Sequence, residues 1–346
     1  MSRIGVTLMK LFHSTSLPIT LPNNDTIIQK DHMILLSFAS SRRILSTSAW
    51  NGGIREDITC VFNYDLSHGK TIFCEPLEPT MAGHMRRLSE IAGLPVANSG
   101  LCTAAQMKNV CITQETWDTI VVTAIVTAGI DENGGRAGDP ASWQEKDYQL
   151  GIPVGTINLL LHFNCDLLPG TLTTALLTAT EAKAAAIQEL QLPSKVSSGI
   201  ATGSGTDGAI LICDSQSTTC LTDCGKHSKL GEMVGKTVFH AVKEALFLQT
   251  GASPDRLHHA IRLLERFGFH EKYVSSFFPT LSVEQLHTLC QKEEIWSLAA
   301  IYAHLMDLEN WNIMTHEQAI AIANKLYPLE EKSYFEALIA YMKEQE

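Results

Sequence analysis

The sequence lacks an excess of positive charge. Lys and Arg number 26 against 37 Asp and Glu, a net charge of −11 with His neutral. A nucleic-acid binder needs a basic face, so that class is set aside, and an anionic membrane surface is an equally poor partner. Long apolar runs are missing as well. The longest, Ile120 to Ile130, is about half of the ~20 residues that cross a bilayer. Near the start, Lys10 and His13 break the apolar residues before any long run forms, a poor secretory signal. These absences lead us to expect a cytoplasmic protein. The nine cysteines are odd in number and follow no disulfide rhythm, so they read as reduced, mostly buried thiols. Cys213, Cys220, Cys224 and His227 offer four potential zinc ligands, but C-x3-C-x2-H is cramped and has no second knuckle. No metal site is expected there.

What is present falls into two textures. Up to about residue 249, strand-like runs rich in Val, Ile, Thr and Leu (27–39, 42–50, 57–66, 118–129, 156–164 and 208–215) alternate with helical stretches. The helices are expected near 79–92, 169–191 and 229–249, with Ser228 placed to cap the third. From 250 to 346 the strand signals vanish. Ser253-Pro254 reads as an N-cap followed by proline at the first helical position, and Ser282-x-x-Gln285 and Thr315-x-x-Gln318 read as capping boxes. The expected fold is therefore mixed α/β over 1–249, with an all-helical extension over 250–346 that carries no chemical motif.

Residues 202–209, TGSGTDGA, spell G-x-G-x-x-G. A dinucleotide site needs a helix opening from the last glycine, to hold the pyrophosphate at its N-terminus. Here Gly208 is followed by AILIC, a strand, so the nucleotide reading fails. What remains is a tight turn gathering Thr202, Ser204, Thr206 and Asp207, with backbone N–H groups free to approach a ligand.

Four other stretches stand beside this turn: SAWNGGIRED at 48–57, with Asn51-Gly52-Gly53 closing a strand, the loop VTAGIDENGGRAGD at 126–139, VGTINLLL (154–161) with the later T-E-A-K-A helix, and DCGKHSKLGEMVGKTV at 223–238. In order and wording the five resemble the adenosylcobinamide amidohydrolase (CbiZ) family, over roughly 35–249. That resemblance implies hydrolysis of the amide joining the corrin propionyl arm to aminopropanol, which yields adenosylcobyric acid for corrinoid salvage. It implies a corrinoid small molecule as substrate, with cobalt belonging to that substrate, and no cofactor of the protein's own. A non-catalytic corrinoid-binding or regulatory protein of the same fold is the alternative. Homo-oligomerisation, or a protein partner on the helical tail, is left open.

Amide hydrolysis needs an activated water or hydroxyl, an oxyanion donor and an acid for the leaving amine. His227, just before a helix N-terminus whose dipole disfavours its protonated form, is the first candidate for acid/base work. Its match to the family's H-x-x-x-G-E favours that choice. Asp207 is expected either to orient His227 or to bond its own turn. Asn158, an amide inside an apolar strand, is a carbonyl or oxyanion donor or else a buried bridge. Lys183 falls on the apolar stripe of its helix with Leu172, Leu176, Ala179, Ile187 and Leu190, so pairing with Asp207 or snorkelling is expected. Glu181 faces the opposite way and is kept as a catalytic candidate for the case that the helix lies between two layers. Asn51, Gly52, Gly53, Thr202, Gly203, Ser204, Gly205 and Thr206 complete the candidate set as substrate-binding groups.

Overall fold

The computed structural model describes residues 8–68, 76–141, 155–327 and 333–345. Val154, which opens one of the quoted stretches, and Cys74 lie outside them. The chain forms two compact units, 1–188 with 201–252, and 189–200 with 253–346. Among the described residues no helix is long and apolar enough to cross a membrane.

The first unit is built on two sheets. The larger joins Leu8–His13 (β1), Arg43–Ser46 (β5), Gly53–Arg55 (β6), Cys111–Trp117 (β9), Ile120–Ala128 (β10), Ile157–Phe163 (β12) and Gly208–Cys213 (β15), in the order β1-β9-β10-β12-β15-β5-β6. The smaller joins Ile19–Thr20 (β2), Thr26–Lys30 (β3), Met33–Ser37 (β4), Cys60–Asp65 (β7) and Asn98–Thr103 (β8). Two short pairs, Gly134–Gly135 (β11) with Gly203–Ser204 (β14) and Asp166–Leu167 (β13) with Cys220–Leu221 (β16), tie down loops.

Strand periodicity sets the layers. On β4, Ile34 and Leu36 point one way, into a core shared with Ile44, Ile125, Leu160, Ile210 and Ile212 of the larger sheet. Met33 and Leu35 point the other way, onto Met85 and Leu88 of the helix Met81–Ile91 (α1). The outer face of the larger sheet carries two helices, Pro169–Glu189 (α2) and Lys229–Thr250 (α3). The unit is thus stacked helix, sheet, sheet, helix, and each fully buried Ile or Leu contributes about 1.5–3 kcal/mol. Ser228 caps α3 as expected, its hydroxyl accepting from the Gly231 N–H.

One end of the stack is clamped by charge. Arg42, fully buried, donates from Nε and Nη2 to the two oxygens of Asp25, each at 2.8 Å, and from Nη1 to Asp214 at 3.1 Å. His162 Nε2 lies 3.0 Å from Asp25. Burial alone would raise the Asp25 carboxyl, but the bonds from His162 and Arg42 outweigh it and hold it below its usual range. The bridges nearer the other end are neutral: Ser46 to Ser99, and Asn158 to Asn63.

The second unit is helical: Ala260–Leu264 (α4), Glu271–Ser275 (α5), Val283–Cys290 (α6), Glu293–Asn310 (α7), His316–Leu326 (α8) and Tyr334–Glu344 (α9). Both expected capping boxes close, at Ser282–Gln285 and Thr315–Gln318. Ser253 differs: it precedes a 3-10 turn, Pro254–Leu257, and its side chain makes no capping bond. Segment 189–200 belongs to this unit although it lies between α2 and β15 in sequence.

Candidate active site

Because β12 and β15 are parallel while β10 and β5 run against them, four strand termini meet at one rim. Ala128 pairs with Ile157, Asn158 with Gly208, and Ser46 with Gly53. The β11–β14 pair then staples the 129–139 loop to the glycine turn, Gly134 opposite Ser204 and Gly135 opposite Gly203. Four of the five quoted stretches therefore converge here. The fifth, carrying His227, does not.

Asp207 is the hub of this rim. One carboxylate oxygen accepts from the Ile157 N–H at 3.0 Å and from the Ser204 hydroxyl at 2.6 Å. The other is ion-paired with Lys183 Nζ, and the Ser204 N–H reaches both. Both partners are largely shielded, with side-chain exposures of 17% for Lys183 and 16% for Asp207. Gly203 makes this closeness possible, since a Cβ there would lie 2.2 Å from Asp207 Oδ2 and 2.8 Å from Lys183 Nζ.

The other turn residues are tied internally. Thr202 Oγ1 accepts from the Ala137 N–H at 3.0 Å. The Thr206 hydroxyl meets Thr156 Oγ1 at 2.7 Å and donates to the Gly155 carbonyl at 3.1 Å. A Cβ on Gly205 would meet nothing within 4 Å. Asn51 adopts a positive φ of 53°, and its amide nitrogen donates to the Asn98 carbonyl at 2.7 Å. Gly52 is needed because a Cβ would lie 2.1 Å from the Ser48 carbonyl, while Gly53 turns at φ 81°. Asn51, Gly52 and Gly53 thus shape the rim backbone, and the Asn51 donor is committed to β8.

Asn158 resolves as a bridge. Its amide N–H groups donate to Asn63 Oδ1 at 2.8 Å and to the Cys102 carbonyl at 2.9 Å, while Asn63 donates onward to Thr127 at 2.8 Å. With both donors committed, it does not supply the oxyanion donor that its position suggested.

His227 also departs from expectation. It is exposed in the loop before α3, and Asp207's carboxylate is held by Lys183, Ser204 and Ile157 instead. The neighbouring Ser228 shares a cavity with Trp117 and Ile120, at the end of β10 remote from the rim. At the other end of α3, Gln249 lies against Gly129 and accepts from Asn109 at 2.8 Å. The helix runs along the sheet, and His227 is at its wrong end to act with Asp207. Glu181 pairs with Lys226, away from Lys183, as the helical wheel requires. Of the two helix glycines behind His227, Gly231 touches backbone, a Cβ there lying 1.9 Å from the Gly225 carbonyl, whereas Gly235 meets nothing within 4 Å.

Two cavities flank the rim. One, of about 250 Å³, lies between the larger sheet and α2/α3, with Lys183, Asp207 and Thr180 as polar groups among Leu159, Leu176, Ala179, Val238 and Val242. The other, of about 170 Å³, opens toward α1 and is lined by Ser48, Met81, Met85, Cys102 and Asn158. Thr47, Asp207 and Gly208 border both. Sequence reasoning missed Thr47 and Cys102, which carry no motif and reach the rim only through strand pairing, and it did not single out Ser48 within the stretch 48–57. Among the described residues no three His, Cys, Asp or Glu side chains converge as a metal-holding group.

Residues 18–254 match the family model described as adenosylcobinamide amidohydrolase. An uncharacterized protein of Methanocaldococcus jannaschii is 31% identical over 237 residues, 65% of this chain and 89% of that one. A Pyrococcus horikoshii OT3 protein of known crystal structure is 13% identical with a TM-score of 0.34, over 70% of this chain and 84% of its own. That last likeness is too loose to place the fold.

Proposed function

The chain belongs to the adenosylcobinamide amidohydrolase family, and from that premise we propose that it hydrolyses the aminopropanol amide of adenosylcobinamide to adenosylcobyric acid, in corrinoid salvage. Water adds to the amide carbonyl, the C–N bond breaks, and the amine leaves with a proton. The observation that carries this reading is the Lys183–Asp207 pair, held largely shielded at the mouth of an apolar cavity within the matched region.

Lys183 supplies N–H donors beyond the one used on Asp207, and directs them at the carbonyl oxygen as it gains negative charge. In a partly dry site such a donor is worth a factor of about 10² to 10³ in turnover. Asp207 fixes the ammonium and, with Ser204, the turn beneath it. The attacking group is water or one of the rim hydroxyls, Ser48 and Thr47 among them. The cobalt is the substrate's own. We place the reaction in the cytoplasm.

Incubation of the purified protein with adenosylcobinamide, followed by mass spectrometry, tests the reading. Equal amounts of adenosylcobyric acid and aminopropanol are expected. Retention of intact corrinoid without release would replace the enzyme by a binding protein, and neither release nor retention would refute the substrate.

A further inference from the structure

We propose that the cavity between the larger sheet and the α2/α3 pair is the binding pocket for the leaving amine, and that Leu176 sets which amines fit. This rests on the amidase reading above and deepens it.

Size excludes the ring. Pockets that enclose a drug-sized ligand run from about 300 to 1,000 Å³, and this cavity holds about 250 Å³. A corrin macrocycle stays outside, so only the amide arm enters. The charged groups are at the mouth: Lys183 and Asp207 sit beside the strand ends Ile157 and Gly208 on the rim. Leu159 lies two residues further along β12, about 7 Å inward. Leu176 precedes Lys183 on α2 by two turns, roughly 10 Å. Val242 and Val238 precede the rim residue Gln249 on α3 by two to three turns.

The cavity therefore runs inward from Lys183 for on the order of 10 Å, polar at its mouth and apolar within. An amide whose carbonyl meets Lys183 has its acid side, and the ring, facing solvent. Its amine side points down the apolar channel. The Thr180 hydroxyl donates to the Leu176 carbonyl at 2.8 Å and is able to accept from an alcohol on the amine. The ligand class is a short, branched alkanolamine.

The test compares kcat/KM for adenosylcobinamide with that for analogues carrying ethanolamine or a longer, bulkier alkanolamine. Leu176 is a half-buried wall residue, so both a smaller and a larger substitute are usable. Leu176→Ala is expected to shift preference toward the bulkier amine by about tenfold, and Leu176→Trp to cost the aminopropanol arm about tenfold relative to ethanolamine. Thr180→Val is expected to narrow the preference for hydroxylated over plain alkyl amines. If the native chain hydrolyses adenosylcobinamide and all three variants keep its amine selectivity, the amine binds elsewhere and the inference is overturned while the function stands. Absence of hydrolysis by the native chain would overturn both.

Discussion

Gly203 and Gly205 are two residues apart in one turn, yet an added methyl group has opposite consequences at the two positions. At Gly205 it meets open space within 4 Å. There Gly205→Ala should stabilise the chain by about 0.4–1 kcal/mol, because the unfolded chain loses freedom. At Gly203 the methyl carbon would sit 2.2 Å from Asp207 Oδ2 and 2.8 Å from Lys183 Nζ. Such contacts cannot be tolerated, so the Asp207 carboxylate, the Lys183 ammonium or both must shift and the pair is disturbed. Overpacking of this kind costs about 1–3 kcal/mol. Displacing the ammonium by even an ångström should lower kcat/KM by about 10²-fold. The assays are chemical denaturation of both variants and turnover of adenosylcobinamide. Equal stability and equal turnover in the two variants would refute the claim that the turn exists to hold this ion pair.

Three further outcomes are expected. His227→Ala should keep kcat within about twofold of the native value, since removing an exposed group away from the rim costs little; loss of turnover would return His227 to the mechanism. Asn63→Ala and Asn158→Ala should show a coupling of about 1–2 kcal/mol in a double-mutant cycle by urea denaturation, and strict additivity would mean that the bridge between the sheets contributes nothing. In the helical unit, His259 is 6% exposed, neither ring nitrogen has a hydrogen-bond partner, and burial, then His287 and Arg262, push it down from 6.5 to about 4. Its proton is taken up by the unfolded chain first, so stability is full above pH 6.5 and falls as pH drops toward 4, by about 3 kcal/mol. His259→Leu should remove that slope, and an unchanged slope would contradict the assignment.

Local signals carried well from sequence to structure. Three helices, the Ser228 cap and two capping boxes depend on residues a few positions apart. The Lys183–Asp207 contact was legible for a similar reason: a lysine on an apolar stripe needs a partner, and the adjacent strand offers a carboxylate. Long-range pairing was not legible. The run 27–39 reads as one strand, but Asp31 turns at φ 50° and folds it into a hairpin. Strand β8, NSGLCT, is not among the expected strands: it has little β-branched character, and its Gly100 is there to admit the Phe62 ring, which would lie 2.2 Å from a Cβ. His227 has the right chemistry for a catalyst, and only the direction of α3 along the sheet removes it from the site.

The two ends of the stacked sheets differ in how firmly they are closed. At one end, separating Arg42, Asp25, His162 and Asp214 would strand buried charge, at a cost of about 3–5 kcal/mol. Toward the rim, the links are the neutral bonds Ser46–Ser99 and Asn158–Asn63, each worth about 1 kcal/mol. The pair of sheets is built like a clothes-peg, its spring at the charged end and its jaws at the rim. Separating the sheets therefore costs least at the jaws, on the strands that border Asp207, and most at the spring.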